Sequence, residues 1–202
     1  LELAADGGYR YTLANDSAGV QSLGAGEFTQ DAFAYLASDG LASTQAFLHV
    51  EVEGANDAPV AAGDAASVQE DGVLLAAGNV LGNDSDVDAN SILTVANPGV
   101  RAGSYGTLTL ASDGGYSYAL DNAAVQSLAA GQSVTDVFGY EASDGLASSA
   151  ATLSVGIAGA NDAPVAQDVA ATAGEDGPSV TVTPVTSDVD FGDTHTIAAG
   201  AF

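Results

Sequence analysis

The chain has 202 residues, of which 27 are acidic and two, Arg10 and Arg101, are basic, giving a formal net charge of −25. A field of that sign repels nucleic acid and anionic membrane surfaces, so neither is a partner. Hydrophobic residues make up 47% of the chain, too many for a disordered acidic tail, and no apolar run approaches the roughly 20 residues that a membrane-spanning helix needs. Cysteine is absent, which removes disulfides, thiolate metal ligands and a cysteine nucleophile. Only His49 and His195 offer imidazole.

Taken in chain order, the elements read as short strands broken by Gly, Asn and Asp, with almost no helical periodicity. Phe33 and Tyr35 lie on one strand face. In the run from Ala46 to Val52, residues Ala46, Leu48, Val50 and Val52 share a face, and Phe47, His49 and Glu51 share the other. His49 is thus a solvent-facing strand residue. Val73 to Ala76 predicts the next strand, followed by Ile92 to Ala96. Thr107 to Ala111 and Tyr116 to Leu120 predict a hairpin around Ser112-Asp113-Gly114-Gly115, where glycine supplies positive φ. Asp6 and Asp113 are hairpin-turn residues on this reading. Val134, Phe138, Tyr140 and Ala142 line one face of a later strand, and Ala151, Leu153, Val155 and Ile157 one face of the last. About seven strands in roughly 100 residues is the pattern of an all-β sandwich.

The chain also repeats. Gly54-Ala55-Asn56-Asp57-Ala58-Pro59-Val60-Ala61 recurs without change from Gly159 to Ala166, 105 residues on, and Ala37 to Ser43 recurs as Ala142 to Ser148 with the same offset. A fixed period of this size predicts an array of domain-sized modules. Residues 1–53 match the later half of a module, 54–158 form one whole module, and 159–202 match the opening of another, so the sequence reads as a window on a longer array. Pro59 and Pro164 stiffen the Asn-Asp-Ala-Pro connection and bias the preceding residue to an extended backbone.

Asp84, Asp86 and Asp88 stand at alternate positions, and Asp188 and Asp190 repeat the spacing in Asp188-Val189-Asp190. On a strand such neighbours would repel; in a loop they can converge on a hard cation, and Ca²⁺ takes about six to eight oxygens. An EF-hand does not fit, because Ala89 and Val95 stand where its loop needs Gly and Glu. The same Asp-Gly and Asn-Asp pairs are ordinary turn formers, which keeps a purely structural role open for Asp39 and Asp144.

The acidic motifs occur in a fixed order: Glu70-Asp71-Gly72, Asp86-Val87-Asp88, Leu120-Asp121-Asn122, Ser143-Asp144-Gly145, then Asn161-Asp162-Ala163-Pro164. In this order the chain resembles the bacterial VCBS and cadherin-like repeats of very large extracellular adhesins. The resemblance implies tandem Ig-like, cadherin-like Greek-key sandwich modules of about 105 residues with Ca²⁺ between neighbours. It implies metal ligation by Asn56, Asp57, Asp86, Asp88 and Asp144 at one boundary, and by Glu70, Asp121, Asn161, Asp162, Asp188 and Asp190 at the other. The chain departs from the family pattern at Ala123, which replaces the second acid of the Leu-Asp motif. The function implied is a calcium-stiffened, non-catalytic spacer of a secreted or cell-surface bacterial adhesin or biofilm protein. Its partners would be neighbouring repeats, identical chains in a filament, or cell-surface and matrix ligands. Glycan binding is the weaker alternative: tryptophan is absent, and Phe47 and Tyr105 are the aromatic residues expected outside. Acidic residues recur at boundaries rather than in one cleft, and no Ser-His-Asp set or phosphate loop is present, so the chain is not expected to be an enzyme.

Overall fold

A computed structural model describes residues 1–194 and 196–198; His195 lies outside the described residues. Short alternating runs give short strands, and Asp or Gly closes the turns between them. Glu2–Leu3 (β1) and Tyr9–Arg10 (β2) pair antiparallel, and the Asp6 carboxylate accepts from the Gly8 N–H at 2.9 Å in their connection. One helical turn, Ala18–Gln21 (α1), precedes Phe28–Ser38 (β3) and Ser43–Glu53 (β4), which pair antiparallel along eleven residues each. Asp39 Oδ1 closes that hairpin by accepting from Leu41 and Ala42 N–H at 2.9 and 2.8 Å. Next come Asp64–Gln69 (β5), Leu75–Asn79 (β6), Thr94–Val95 (β7), Gly99–Ala102 (β8), Gly106–Leu110 (β9) and Gly115–Leu120 (β10). A 3-10 turn over Asn122–Ala124 leads to the long strands Ser133–Ser143 (β11) and Ser148–Ala158 (β12). Val165–Gln167 (β13) and Val185–Ser187 (β14) pair antiparallel.

The described chain is 43% strand and 4% helical, which agrees with the all-β expectation. Its larger sheets run β6-β10-β9-β8 and β5-β12-β11-β7. β5 joins β12 in parallel, from Leu153 opposite Asp64 to Ala158 opposite Gln69. Among the described residues no helix is long and apolar enough to cross a membrane.

Two compact units share these strands. One comprises Leu1–Ala62, Leu81–Asn97 and Tyr140–Ala151. It contains the β3–β4 hairpin and the pairing of β7 with the end of β11, where Ala142 lies opposite Val95. Val52, Val95, Tyr140 and Ala142 are its buried apolar residues, and the Tyr140 hydroxyl donates to the Ala62 carbonyl at 2.8 Å.

The other unit comprises Gly63–Val80, Pro98–Gly139 and the described residues from Thr152 onward. Here the sandwich core is complete. Leu108, Leu110, Tyr118 and Leu120 come from one sheet, and Val68, Phe138, Leu153, Val155 and Ile157 from the other; none is more than 8% exposed. The Tyr118 and Phe138 rings lie 5.9 Å apart in a tilted pair. One carboxylate is built into this core. Asp136, 3% exposed, accepts from Ser104 N–H at 2.8 Å, Tyr105 N–H at 3.1 Å and the Tyr118 hydroxyl at 2.8 Å. Burial, then the bond to Asp136, pushes the Tyr118 hydroxyl pKa upward, so Tyr118 remains a proton donor.

The hairpin over β9 and β10 forms at the expected place, with Asp113 Oδ1 accepting from Gly115 N–H at 3.0 Å. The strand expected over 73–76 instead begins at Leu75, and of 92–96 only Thr94–Val95 is paired. β5 and β8 carry no clear apolar alternation and are additional strands. Tyr105 is half-buried rather than exposed.

Two substitutions test the core carboxylate. Tyr118→Phe leaves Asp136 two backbone donors and should cost about 1 kcal/mol. Asp136→Ala strands two backbone N–H groups and a hydroxyl, and should cost about 3 kcal/mol or more by the same penalty for unmet buried donors. Urea unfolding monitored by tyrosine fluorescence reads both; equal, small losses would show that Asp136 does not organise the β8–β9 connection.

Candidate metal centre at the repeat boundary

The second Asn-Asp-Ala-Pro connection is shaped by carboxylates that bind its backbone. The Glu70 N–H donates to Ala158 O at 3.1 Å, and Glu70 Oε1 accepts from Ala160 N–H at 2.7 Å. Asp190 Oδ2 accepts from Asp162 N–H at 2.9 Å, and Asp188 Oδ1 accepts from Asp190 N–H at 3.1 Å, a turn that presents Asp190 to the linker. Asn161 Nδ2 donates to Asp162 O at 2.6 Å. Gly159 enables this approach: its N–H donates to Gln132 O at 2.9 Å, and a Cβ there would overlap the carbonyl oxygens of Leu128 and Ala129.

Glu70, Asp162 and Asp190 thereby converge, each offering a carboxylate oxygen within 4.8 Å of the others. Glu70 is 1% exposed and Asp190 4%. Glu70 Oε2, Asp162 Oδ2 and Asp190 Oδ1 are buried without a hydrogen-bond partner. Burial, followed by the charges of Asp71, Asp190 and Asp188, pushes the Asp162 carboxyl pKa upward. Buried anions without a counter-charge are costly, and a hard divalent cation is the partner this donor set fits.

Asp121 is exposed and caps the following 3-10 turn through Ala123 N–H at 3.2 Å, outside the converging trio. Sequence reasoning passed over Asp71. Its backbone has a φ of 53°, and its Oδ1 accepts from Asn122 Nδ2 at 2.7 Å and Gln126 Nε2 at 3.1 Å, bonds that lower its pKa. The Glu-Asp-Gly motif was the available signal, since Asp-Gly favours a left-handed turn.

The first connection repeats the pattern. Asp88 Oδ2 accepts from Asp57 N–H at 3.0 Å, Asp86 Oδ1 from Asp88 N–H at 2.9 Å, and Asn56 Nδ2 donates to Asp57 O at 2.6 Å. Ala89 N–H binds Ser22 O at 3.0 Å, just as Phe191 N–H binds Ser127 O at 3.0 Å. Asp88 is 8% exposed, and its Oδ1 is buried without a partner. The other acids here are more fully engaged. Asp86 Oδ2 accepts from Ser91 Oγ at 2.8 Å. Asp144 accepts from Leu146 and Ala147 N–H, both at 2.7 Å, and from Asn56 Nδ2 at 2.9 Å. These bonds, that from Ala147 foremost, lower its pKa. Asp84 stays apart from the pair, accepting from Ala62 N–H at 2.7 Å. Glu27 accepts from Gly24 N–H and from Asn90. An open cleft of about 330 Å³ is lined by Glu27, Asn56, Asp88, Asn90 and Asp144.

The family model described as a bacterial cadherin-like domain matches residues 56–159. No curated protein matches the chain. Among solved structures, extracellular cadherin domains 1–4 of protocadherin gamma B7 are 18% identical with a TM-score of 0.48, over 95% of this chain and 47% of that one. Domains EC1–3 of protocadherin gamma C5 are 18% identical with a TM-score of 0.47, over 81% of this chain and 56% of that one. An endo-fucoidan hydrolase of glycoside hydrolase family 107 is 19% identical with a TM-score of 0.30, over 64% of this chain and 22% of that one. The match over residues 56–159, more than half of the sequence, shows that the chain belongs to the bacterial cadherin-like domain family.

Proposed function

We propose that this chain is a calcium-stiffened spacer of a large secreted or cell-surface bacterial adhesin or biofilm protein. Its modules are divided as 1–53, 54–158 and 159–202, and the bound ion acts at the connections. The observation that carries the reading is the trio Glu70, Asp162 and Asp190, with one buried, unpartnered oxygen on each. Each of these residues already uses its backbone or its other oxygen to fix the linker. A cation at their meeting point would remove the repulsion and tie the connection to the modules on either side. Asn161 and Asp188 would orient the set, with Asn56, Asp57, Asp86, Asp88 and Asp144 serving the first connection. Ca²⁺ suits a crowded, irregular oxygen set better than Mg²⁺, which demands near-octahedral geometry and retains water. Binding energy from such an ion appears as folding and interdomain order.

Ca²⁺ should therefore raise the melting temperature and chelator should remove the gain. At a Ca²⁺ concentration about a hundredfold above Kd the added stability is about 2.7 kcal/mol. Glu70→Gln should abolish most of this increment while changing the chelated protein little, and Mg²⁺ should substitute poorly. Differential scanning calorimetry with and without EGTA decides it; an identical loss in both conditions would assign Glu70 to packing.

Stiffening has its own readout. In a protein of several whole repeats, small-angle scattering in Ca²⁺ should show a rod that lengthens by a constant step per repeat, and flexibility should rise in chelator. Replacing Asp86 and Asp88 together by Asn should reproduce the chelated profile at the connection preceding that repeat. Unchanged maximum dimension across all these conditions would dismiss the spacer reading.

A further inference from the structure

The β3–β4 hairpin has an inner and an outer face. Inner residues Phe33, Tyr35, Leu48 and Val50 stand 105 residues before Phe138, Tyr140, Leu153 and Val155, which are core in the whole module. The outer face corresponds instead to Thr135, Val137, Gly139, Glu141 and Thr152, which are all exposed there. A complete sandwich therefore leaves this face in water. On it Leu36 stands opposite Gln45, Ala34 opposite Phe47, Ala32 opposite His49, Gln30 opposite Glu51 and Phe28 opposite Glu53. Leu36 is 68% exposed, Phe47 57% and Phe28 55%. The Phe47 and His49 rings lie 6.2 Å apart with their planes 29° from parallel. Alanines face both rings across the strand pair, so nothing large covers them from that side. The same positions 105 residues on hold Ser133, Glu141, Thr152 and Ser154 in place of Phe28, Leu36, Phe47 and His49. One repeat thus carries an aromatic strip where the other carries small polar side chains and an acid, on a face that the fold does not need to be apolar.

We propose that this strip binds a pyranose chain bearing free amino groups, of the kind built from glucosamine units. The apolar C–H face of a sugar ring stacks on Phe47, and an ammonium group over an aromatic face gains cation–π attraction. Glu51 and Glu53 continue the same face beyond His49 and supply counter-charge. Gln30 and Gln45 offer amide donors and acceptors to the hydroxyls. Charge complementarity selects this occupant. A net charge of −25 attracts cationic chains, repels uronic or sulfated glycans, and disfavours a second copy of the same sign. A basic peptide is the weaker fit, because peptide recognition on sheets uses an edge, where backbone groups pair. On the face of a strand pair those groups point along the sheet, and only side chains meet the ligand. The site adds to the spacer reading and does not depend on the metal at the connections.

The test is isothermal titration of the 202-residue chain with a glucosamine oligomer, at physiological ionic strength, where diffuse attraction is screened. Phe47→Ala alters no charge and should weaken binding about fivefold. Phe47→Tyr keeps a ring and should retain the affinity. Glu51→Gln should lower the affinity and flatten its dependence on salt. The N-acetylated oligomer, which lacks the ammonium groups, should bind several-fold more weakly. Circular dichroism melting checks that each variant folds, and Leu36→Ser on the same strip gives a second reading if Phe47→Ala does not. Absence of binding overturns the proposal. So does an affinity indifferent to both Phe47→Ala and Leu36→Ser, which is diffuse charge attraction only. Equal affinity for the acetylated oligomer overturns the role of the amino groups. Tighter binding of an oligo-lysine peptide with the same dependence on Phe47 would make a basic peptide the occupant and overturn the sugar. A concentration-dependent dimer that Phe47→Ala abolishes would make a second copy the occupant, with the same consequence.

Discussion

Carboxylates bound to the backbone of the Asn-Asp-Ala-Pro connection are the constraint on which the boundary depends. Glu70 Oε1 accepts from Ala160 N–H, Asp190 Oδ2 from Asp162 N–H, and Asp88 Oδ2 from Asp57 N–H. In each case the second oxygen is left buried and unpartnered. The hydrogen bonds that set the path of the chain therefore also decide where negative charge accumulates. The chain has no lysine, and its two basic side chains are Arg10 and Arg101. A hard cation is one partner that such a set of oxygens fits.

The same bonds explain why the connection recurs without change. Gly54 and Gly159 each donate to a backbone carbonyl, of Glu27 and Gln132, at 2.8 and 2.9 Å. A side chain at either would collide with the preceding backbone. The proline two residues after the Asp contributes a fixed φ and holds the intervening Ala extended. Sequence, local geometry and electrostatics are here a single constraint: altering the glycine moves the asparagine and aspartate, and with them the charge.

Much of this was legible in the sequence because it rests on period and on turn chemistry. The faces of β11 and β12 followed from alternation, and all four of Phe138, Leu153, Val155 and Ile157 are core. Asp6, Asp39 and Asp113 accept from the next residues' N–H groups, as Asp-Gly turns predict. β5 was not legible, since Asp64–Gln69 is held by parallel pairing with β12, a long-range partnership that leaves little local pattern. The turn at Asp71 was signalled by Asp-Gly, but its partners Asn122 and Gln126, over 50 residues away, were not legible. Of the expected ligands, Glu70, Asp162 and Asp190 meet, whereas Asp121 turns to cap its own 3-10 segment. Spacing identified which residues are acidic at the boundary; it did not tell which of their oxygens the backbone would consume.

That distinction separates two kinds of buried acid within one unit. Asp136 is as deeply buried as Glu70, at 3% against 1% exposed. Yet both its oxygens are engaged, by two backbone N–H groups and the Tyr118 hydroxyl. Three donors satisfy its buried oxygens, and it ties the β8–β9 connection to β11. Glu70 has one donor and two acidic neighbours. A buried carboxylate alone thus says nothing about metal. The count of donors per oxygen separates the two: every Asp136 oxygen in the sandwich core has a donor, whereas Glu70, Asp162 and Asp190 at the boundary each keep one buried oxygen without a hydrogen-bond partner.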